Sequence, residues 1–389
     1  MTAPGGGVYL DWNATTPPHP SVVEAWRAAV SSGWANASSV HRAGQRARAL
    51  LDEAREAVAV LLGFEPADVA LTSGGTEANN LALVGLVPPG ATGALVVGGV
   101  EHPSVARAAA GLAARGVAVE VAPPAPSGRV EPAAVARALA ALPTVAGPRV
   151  VSLQSVNHEL GVLQPVAEVA ALAHRSGALL HVDAVQGAGK LDRSAWQGAD
   201  LVTMAGHKLR GPKGTGAVAW RRGVRLVPLL AGGAQERGLR PGTQDAAAAA
   251  GLAVACRRAP EHRAATAAVG PLRDQLEREL VAAGARLGIE VLRNGTSERV
   301  AHVSSLAFVG WRGAELCAAL ALEGVAVSSG AACSAGTPEA SAVVAAVAGR
   351  ARAEATVRLS LGETTTARDV EVALEAFRRV LARGPAREP

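Results

Sequence analysis

Short apolar runs separated by alanine-rich stretches of helical spacing dominate the first 220 residues. The runs at 95–100, 117–122, 150–154, 178–182, 201–204 and 216–220 each have the length of a strand covered on both faces. Between several of them lie helical patterns, notably 104–115 and 165–176. This alternation predicts an α/β fold on a mainly parallel, mixed sheet flanked by helices. The segment Pro123-Pro124-Ala125-Pro126-Ser127-Gly128 has the composition of a linker, but the alternation resumes after it, so it reads as a surface loop.

The pattern changes near Pro260. A helix rich in arginine and glutamate is expected over 271–283. Short strands follow at 289–292, 301–308, 325–328 and 356–360, with helices at 313–322 and 367–382. That layout predicts a smaller α+β domain beside the first. The expected division gives 15–260 to the large domain and 1–14 with 261–389 to the small one.

Composition narrows the picture. Of 389 residues 49% are hydrophobic but only 3% aromatic, so alanine, valine and leucine must fill the core. The net charge is +5, yet acidic residues interleave with the arginines and aromatics are scarce, so direct nucleic-acid binding is not expected. The longest apolar candidate for a membrane span, 246–256, falls far short of the ~20 residues required. The N-terminus lacks the charged start and apolar core of a signal peptide, and three cysteines fit no disulfide framework. A cytoplasmic location without membrane attachment is expected.

Only three of the 38 basic side chains are lysines, Lys190, Lys208 and Lys213. A guanidinium cannot give up its proton, so lysine in such a chain points to an amine that must. Lys208 follows the apolar run 201–204, and Asp183, 25 residues upstream, closes the run 178–182. An anion and a deprotonatable amine, each at the end of a buried strand, suit pyridoxal phosphate. The carboxylate needs a partner when buried, and a protonated pyridine nitrogen is one. Gln186 can donate to the ring hydroxyl. Thr72-Ser73-Gly74-Gly75-Thr76 reads as a strand end, a glycine pair and a helix start, fit either to hold a phosphate or simply to begin a helix. His102, between a strand and a helix, can stack on a ring, shuttle protons or cap the helix.

The cysteines differ in setting. Cys256 and Cys317 belong to alanine-rich helical stretches and are expected to be small buried hydrophobes. Cys333 lies among the small residues of Ser328-Ser329-Gly330-Ala331-Ala332-Cys333-Ser334-Ala335-Gly336, a loop with nothing to pack, which predicts an exposed, usable thiol. No residue constellation points to a metal.

Taken together, these segments resemble the cysteine desulfurases of group I type, within the class V aminotransferase family of pyridoxal phosphate enzymes. The resemblance runs from Tyr9-Leu10-Asp11-Trp12-Asn13-Ala14-Thr15-Thr16-Pro17 to Val357-Arg358-Leu359-Ser360-Leu361-Gly362. Intermediate matches are 72–80, Glu101-His102, 157–161, 181–186, 206–208 with 211–214, 232–238 with 240–243, and 328–334. It implies a fold type I pyridoxal-phosphate transferase acting as a homodimer. The implied reaction removes sulfur from L-cysteine, giving L-alanine and a persulfide on Cys333 for a protein acceptor.

The resemblance also implies roles. Lys208 carries the cofactor covalently and moves the α-proton, Asp183 holds the pyridine nitrogen, Gln186 the ring oxygen, and His102 stacks and helps with protons. Gly75, Thr76 and His207 bind the phosphate, with Thr243 reaching in from the second subunit. Asn13, Asn157 and Arg358 contact the substrate, the arginine pairing with its carboxylate. Two positions depart from the family's pattern. His158 stands where an asparagine is usual, at the place expected to touch the ring oxygen, and Ala205 stands where a phosphate-binding serine is usual.

A selenocysteine lyase or a cysteine-conjugate C–S lyase on the same fold is the alternative, and a non-catalytic scaffold or sulfur-relay protein a lesser one. Cys333 in its loop favours persulfide formation. The joint presence of Lys208, Asp183 and Arg358 favours an enzyme. The acceptor, whether in iron–sulfur assembly, nucleic-acid thiolation or small-molecule biosynthesis, is not legible.

Overall fold

Strands that are apolar on both faces need cover on both sides, and the architecture supplies it. The computed structural model describes residues 7–88, 90–295, 298–330 and 340–385; Cys333 lies outside the described residues. In chain order the strands are β1 (Val8–Tyr9), β2 (Val69–Thr72), β3 (Ala94–Gly98), β4 (Ala118–Ala122), β5 (Arg149–Gln154), β6 (Leu179–Asp183), β7 (Leu201–Ala205), β8 (Gly216–Trp220), β9 (Val291–Arg293), β10 (Val303–Phe308), β11 (Val325–Ala326) and β12 (Thr356–Ser360). The central sheet has seven strands in the order β2-β8-β7-β6-β5-β3-β4. β4, β3, β5, β6 and β7 pair in parallel, while β8 runs antiparallel to both β7 and β2. The fold is therefore α/β with a mixed, mainly parallel sheet, as the alternation predicts. At the edge, β4 exposes Glu120 and Val121, which is where a parallel sheet tolerates polarity.

The expected strands of this sheet agree with the observed ones to within a few residues. Two helices before β2, Pro20–Ser32 and Arg42–Leu62, were not anticipated. Arginines crowd the outer face of the longer one and mask a stripe of Ala47, Leu51, Ala54, Val58 and Leu62, all buried. That stripe packs on the main core, which also takes in Ala249, Leu252 and Ala253 of helix Ala246–Arg257.

A second apolar core forms around the three-stranded sheet β12-β10-β9 and the pair β1–β11. Helices Gly270–Arg286, Gly313–Leu322 and Ala367–Arg383 supply Leu276, Leu280, Leu316, Leu320, Leu374 and Phe377 to it. Phe377 stacks on Phe308 at 5.6 Å. Val8 and Leu10, from the start of the chain, belong to this core. Helix Ala342–Ala348 instead sends Val343 and Val344 into the main one.

Several histidines are buried as neutral rings. Burial pushes His181 from 6.5 down to about 4, and its ring nitrogens bond Ser152 Oγ at 2.9 Å and Thr203 Oγ1 at 3.2 Å. His262 falls to about 3, from burial and then the nearby cation Lys190. The unfolded chain therefore binds protons that the folded chain refuses between pH 6.5 and about 4. The stabilisation is complete above pH 6.5 and is lost as pH falls through that window; His181 alone contributes about 3 kcal/mol. The melting temperature is expected to be level near neutrality and to fall steeply below about pH 6. A melting temperature unchanged down to pH 4.5, followed by scanning calorimetry, is the contrary result.

Candidate active site

Parallel strands end on the same side of a sheet, and the polar residues that close them meet there. The ladder sets Gln154 opposite Asp183 and, further along, Ala205 opposite Gly216 and Gly216 opposite Thr72. β7 runs straight into the turn Gly206–Lys208, and β2 into helix Gly75–Val84. A cavity of about 290 Å³ opens at this edge. Its walls include Asn13, Gly75, Thr76, His102, His158, Asp183, Gln186, His207, Lys208 and Arg358, so ten of the expected residues converge. A larger cavity of about 780 Å³ lies elsewhere, beside Trp12, Trp26 and Lys213, and holds neither Asp183 nor Lys208.

Asp183 is buried, and both its oxygens are held by neutral donors: Asn79 Nδ2 at 2.8 Å and Val185 N at 2.9 Å. The same Asn79 amide donates to Ser104 Oγ at 2.9 Å, and Thr203 Oγ1 donates to Asn79 Oδ1. Ser104 Oγ in turn lies 2.7 Å from His102 Nδ1. A continuous hydrogen-bonded chain thus ties the Asp183 carboxylate to the His102 ring. The backbone N–H of Ser104 also donates to His102 Nδ1 at 3.1 Å, as the cap of helix Pro103–Ala113. With Nδ1 an acceptor, the ring's proton sits on Nε2. Burial, and next the neighbouring His158, push His102 down to about 4, so it is uncharged at neutral pH.

Behind this layer, burial and then Asp183 push Glu101 well above the usual carboxyl range.

Lys208 Nζ donates to the backbone carbonyls of Asn13 and, at 2.9 Å, of Ala14. The segment that presents them is pinned by Thr16 Oγ1 donating to His207 O at 2.8 Å. Asn13 is used at both ends: Nδ2 donates to His158 O at 3.1 Å and Oδ1 meets His302 Nε2 at 3.0 Å. Arg358 forms an ion pair with Asp11 at 2.6 Å, and Nη1 donates to His158 O at 3.2 Å, while Nε is buried without a partner.

At the opposite wall, Gly74 adopts φ 154°, ψ −179° and provides no side-chain cap to the helix it precedes. Any Cβ on Gly75 would meet Val185 Cγ2 at 2.7 Å, so only glycine lets backbone line the cavity here. The first-turn N–H groups, the Thr76 hydroxyl and His207 surround a place for an anion. Burial, then Lys208, Lys190 and Lys213, push His207 down to about 4, which makes it a neutral partner.

Two expected residues among those described are not on these walls. Asn157 is fully buried, and its side chain shapes a turn: Nδ2 donates to Val100 O at 3.0 Å while Oδ1 accepts from Glu159 N and Leu160 N. It supports the wall that His158 forms rather than lining the cavity itself. Thr243 is exposed and does not line its own chain's cavity; next to it Gln244 Nε2 donates to the Glu236 carboxylate, which also accepts from Leu71 N at 2.9 Å. Cys333 lies outside the described residues. Burial pushes the thiols of Cys256 and Cys317 up to about 12, which makes both inert.

The residues fit pyridoxal phosphate on three observations. A buried carboxylate held only by neutral donors faces a lysine amine's cavity. A glycine-lined helix start forms a cradle that a Cβ would fill. The buried His158 Nδ1 lacks any partner, and its ring meets that of His102 edge-on at 5.2 Å. That nitrogen is placed to serve a polar atom of a bound ring.

Residues 8–372 match the family described as Aminotransferase class-V. An IscS-like cysteine desulfurase of Mycobacterium tuberculosis is 38% identical over 387 residues, covering 96% of each chain. Among solved structures, a NifS-like protein superposes with a TM-score of 0.86 at 29% identity, covering 97% of this chain and 100% of its own. SspA in complex with cysteine gives a TM-score of 0.76 at 28% identity, covering 92% of this chain and all of its own.

Proposed function

The chain belongs to the class V aminotransferase family, and from that premise we propose that it is a cysteine desulfurase that uses pyridoxal phosphate to move sulfur from L-cysteine to Cys333. The observation that carries this reading is the pairing of Asp183 and Lys208 across one cavity, with Arg358 on its wall. When bound, the cofactor supplies a protonated ring that draws electrons from the substrate carbons and lets the C–S bond break.

The chain's residues do the rest. Asp183 holds a proton on the ring nitrogen; Asn79, tied through Ser104 to His102, fixes its Oδ2, and the Val185 N–H fixes its Oδ1. Gly75, Thr76 and His207 hold the phosphate. Arg358, backed by Asp11, takes the substrate carboxylate with its remaining N–H groups. Lys208, cradled by two carbonyls, removes the α-proton and returns it to the alanine carbon. His102 offers its Nε2 proton to the cavity. Cys333, as a thiolate that has given its proton to the cavity, attacks the substrate sulfur. The S–S bond of the persulfide forms as the C–S bond breaks, the β-carbon takes up a proton in place of sulfur, and L-alanine leaves.

The proposal includes a homodimer in which Thr243 serves the other copy's phosphate site, and a protein acceptor for the sulfur. It also takes 15–260 as the large domain and 1–14 with 261–389 as the small one. The apolar core around β9, β10 and β12 supports that division, while helix Ala342–Ala348 packs across it into the main core. No helix among the described residues is long and apolar enough to cross a membrane, and no group of side chains among them could hold a metal ion.

The test is mass spectrometry of the Cys333 peptide after treatment with L-cysteine without reductant. One added sulfur, with alanine released, supports the reading. An unmodified peptide alongside pyruvate and free sulfide makes the protein a C–S lyase.

Ala205 provides a second check. It is buried, on the cavity wall, and 3.5 Å from where a Cβ on Gly75 would stand. Ala205→Ser adds a hydroxyl beside the phosphate place. One neutral hydrogen bond gives about 1 kcal/mol, so the dissociation constant for pyridoxal phosphate should fall about fivefold in a fluorescence titration. An unchanged constant would show that the hydroxyl does not reach the anion.

A further inference from the structure

Lys190 is a buried lysine to which this mechanism gives no task. It closes the turn after β6, four residues beyond Gln186, and is buried. Its Nζ donates to Gln186 Oε1 at 2.8 Å. The charges that press on it most are those of Lys208 and Arg358, and its own field reaches His207, His262 and His302. Burial, then Lys208 and Arg358, push its amine down to about 7. An amine buried among cations is costly to keep. It has an N–H to give in either protonation state.

The contact matters because of what an amide is. The two ends of the Gln186 side chain have nearly the same shape and opposite polarity, so its orientation decides whether the cavity wall offers a donor or an acceptor. Gln186 Nε2 donates to Asn13 O at 3.0 Å. That carbonyl selects the same orientation, but it is shared with Lys208 Nζ. Lys190 holds the other end by itself.

We propose that Lys190 is a positioning residue: by donating to Gln186 Oε1 it keeps Nε2 as the donor at the cavity wall, and so sets the hydrogen bond that an anionic ring oxygen there receives. The proposal rests on the pyridoxal phosphate reading above and deepens it. Lys190 acts on the ring only through Gln186.

A double-mutant cycle tests it. The wild type, Gln186→Leu, Lys190→Met and the double variant are loaded with pyridoxal phosphate, and the absorption of the bound cofactor is titrated with pH. A donor at the ring oxygen favours the deprotonated state, where that oxygen carries more charge, so its loss raises the midpoint. Gln186→Leu should raise it by about half a pH unit or more, the size of one neutral hydrogen bond. Lys190→Met should shift it in the same direction, and the double variant no further than Gln186→Leu alone. Lys190→Gln, an uncharged donor, should restore the wild-type midpoint. Additive shifts would mean that Lys190 acts through its own charge, and would overturn the proposal. So would a Lys190→Met midpoint equal to wild type while Gln186→Leu shifts. If Lys190→Met does not fold, Lys190→Ala takes its place in the cycle. A wild type that binds no pyridoxal phosphate overturns the cofactor reading itself, and is seen before any variant is made.

Discussion

Cys333→Ala is expected to abolish persulfide formation and to slow alanine release from L-cysteine by at least about a thousandfold, because a covalent step loses its nucleophile. Cys256→Ala and Cys317→Ala should leave both within about twofold of wild type. The contrast follows from the thiols themselves. With values of about 12, Cys256 and Cys317 hold only about one thiolate in ten thousand at pH 8. Neither has a competent nucleophile to lend if Cys333 is gone. Pyridoxal phosphate binding should be unchanged in Cys333→Ala, since Asp183, Lys208 and the phosphate cradle lie on other elements. Alanine assays and peptide mass spectrometry on the three variants decide the matter. Wild-type sulfur release from Cys333→Ala would remove the thiol from the chemistry and leave a C–S lyase.

Much of this site was legible because its chemistry sits where patterns break. Asp183 and Lys208 interrupt apolar runs at strand ends, and a parallel sheet gathers such ends at one edge. The glycine pair before Thr76 was readable for a related reason: a backbone approach to an anion leaves no room for a Cβ. Asn79, Ser104 and Thr203 were missed. Each is a small polar residue within or at the start of a helix or strand, and its role depends on neighbours 25 to 124 positions away. No local period encodes that. Asn157 is a different case. It belongs to a segment that resembles the family, but its oxygen accepts from the next two available backbone N–H groups, a turn-former's pattern that asparagine often adopts. The partnership of Arg358 with Asp11, 347 positions apart, likewise emerges only when β12 lies beside the start of the chain. The two unanticipated helices were hidden by composition, since arginine on the solvent face dilutes the apolar stripe on the other.

Lys208→Ala should lower turnover of L-cysteine by at least about ten-thousandfold and abolish borohydride-stable attachment of pyridoxal phosphate, because one amine carries both the covalent link and the α-proton. Lys208→Arg should do no better. A guanidinium keeps the positive charge between the Asn13 and Ala14 carbonyls but neither bonds to the cofactor carbonyl nor accepts a proton. The alanine variant leaves those two carbonyls facing a space the size of the lost side chain, so an added primary amine such as methylamine has donors to place there. Partial recovery with methylamine, rising with its unprotonated fraction as pH increases, would identify the amine as the proton carrier. The other lysines offer no substitute: Lys190 is bound to Gln186, and Lys213 lines the separate larger cavity. Retention of turnover and of the reducible link in Lys208→Ala would therefore contradict the assignment of the cavity itself, since no second lysine lines it among the described residues.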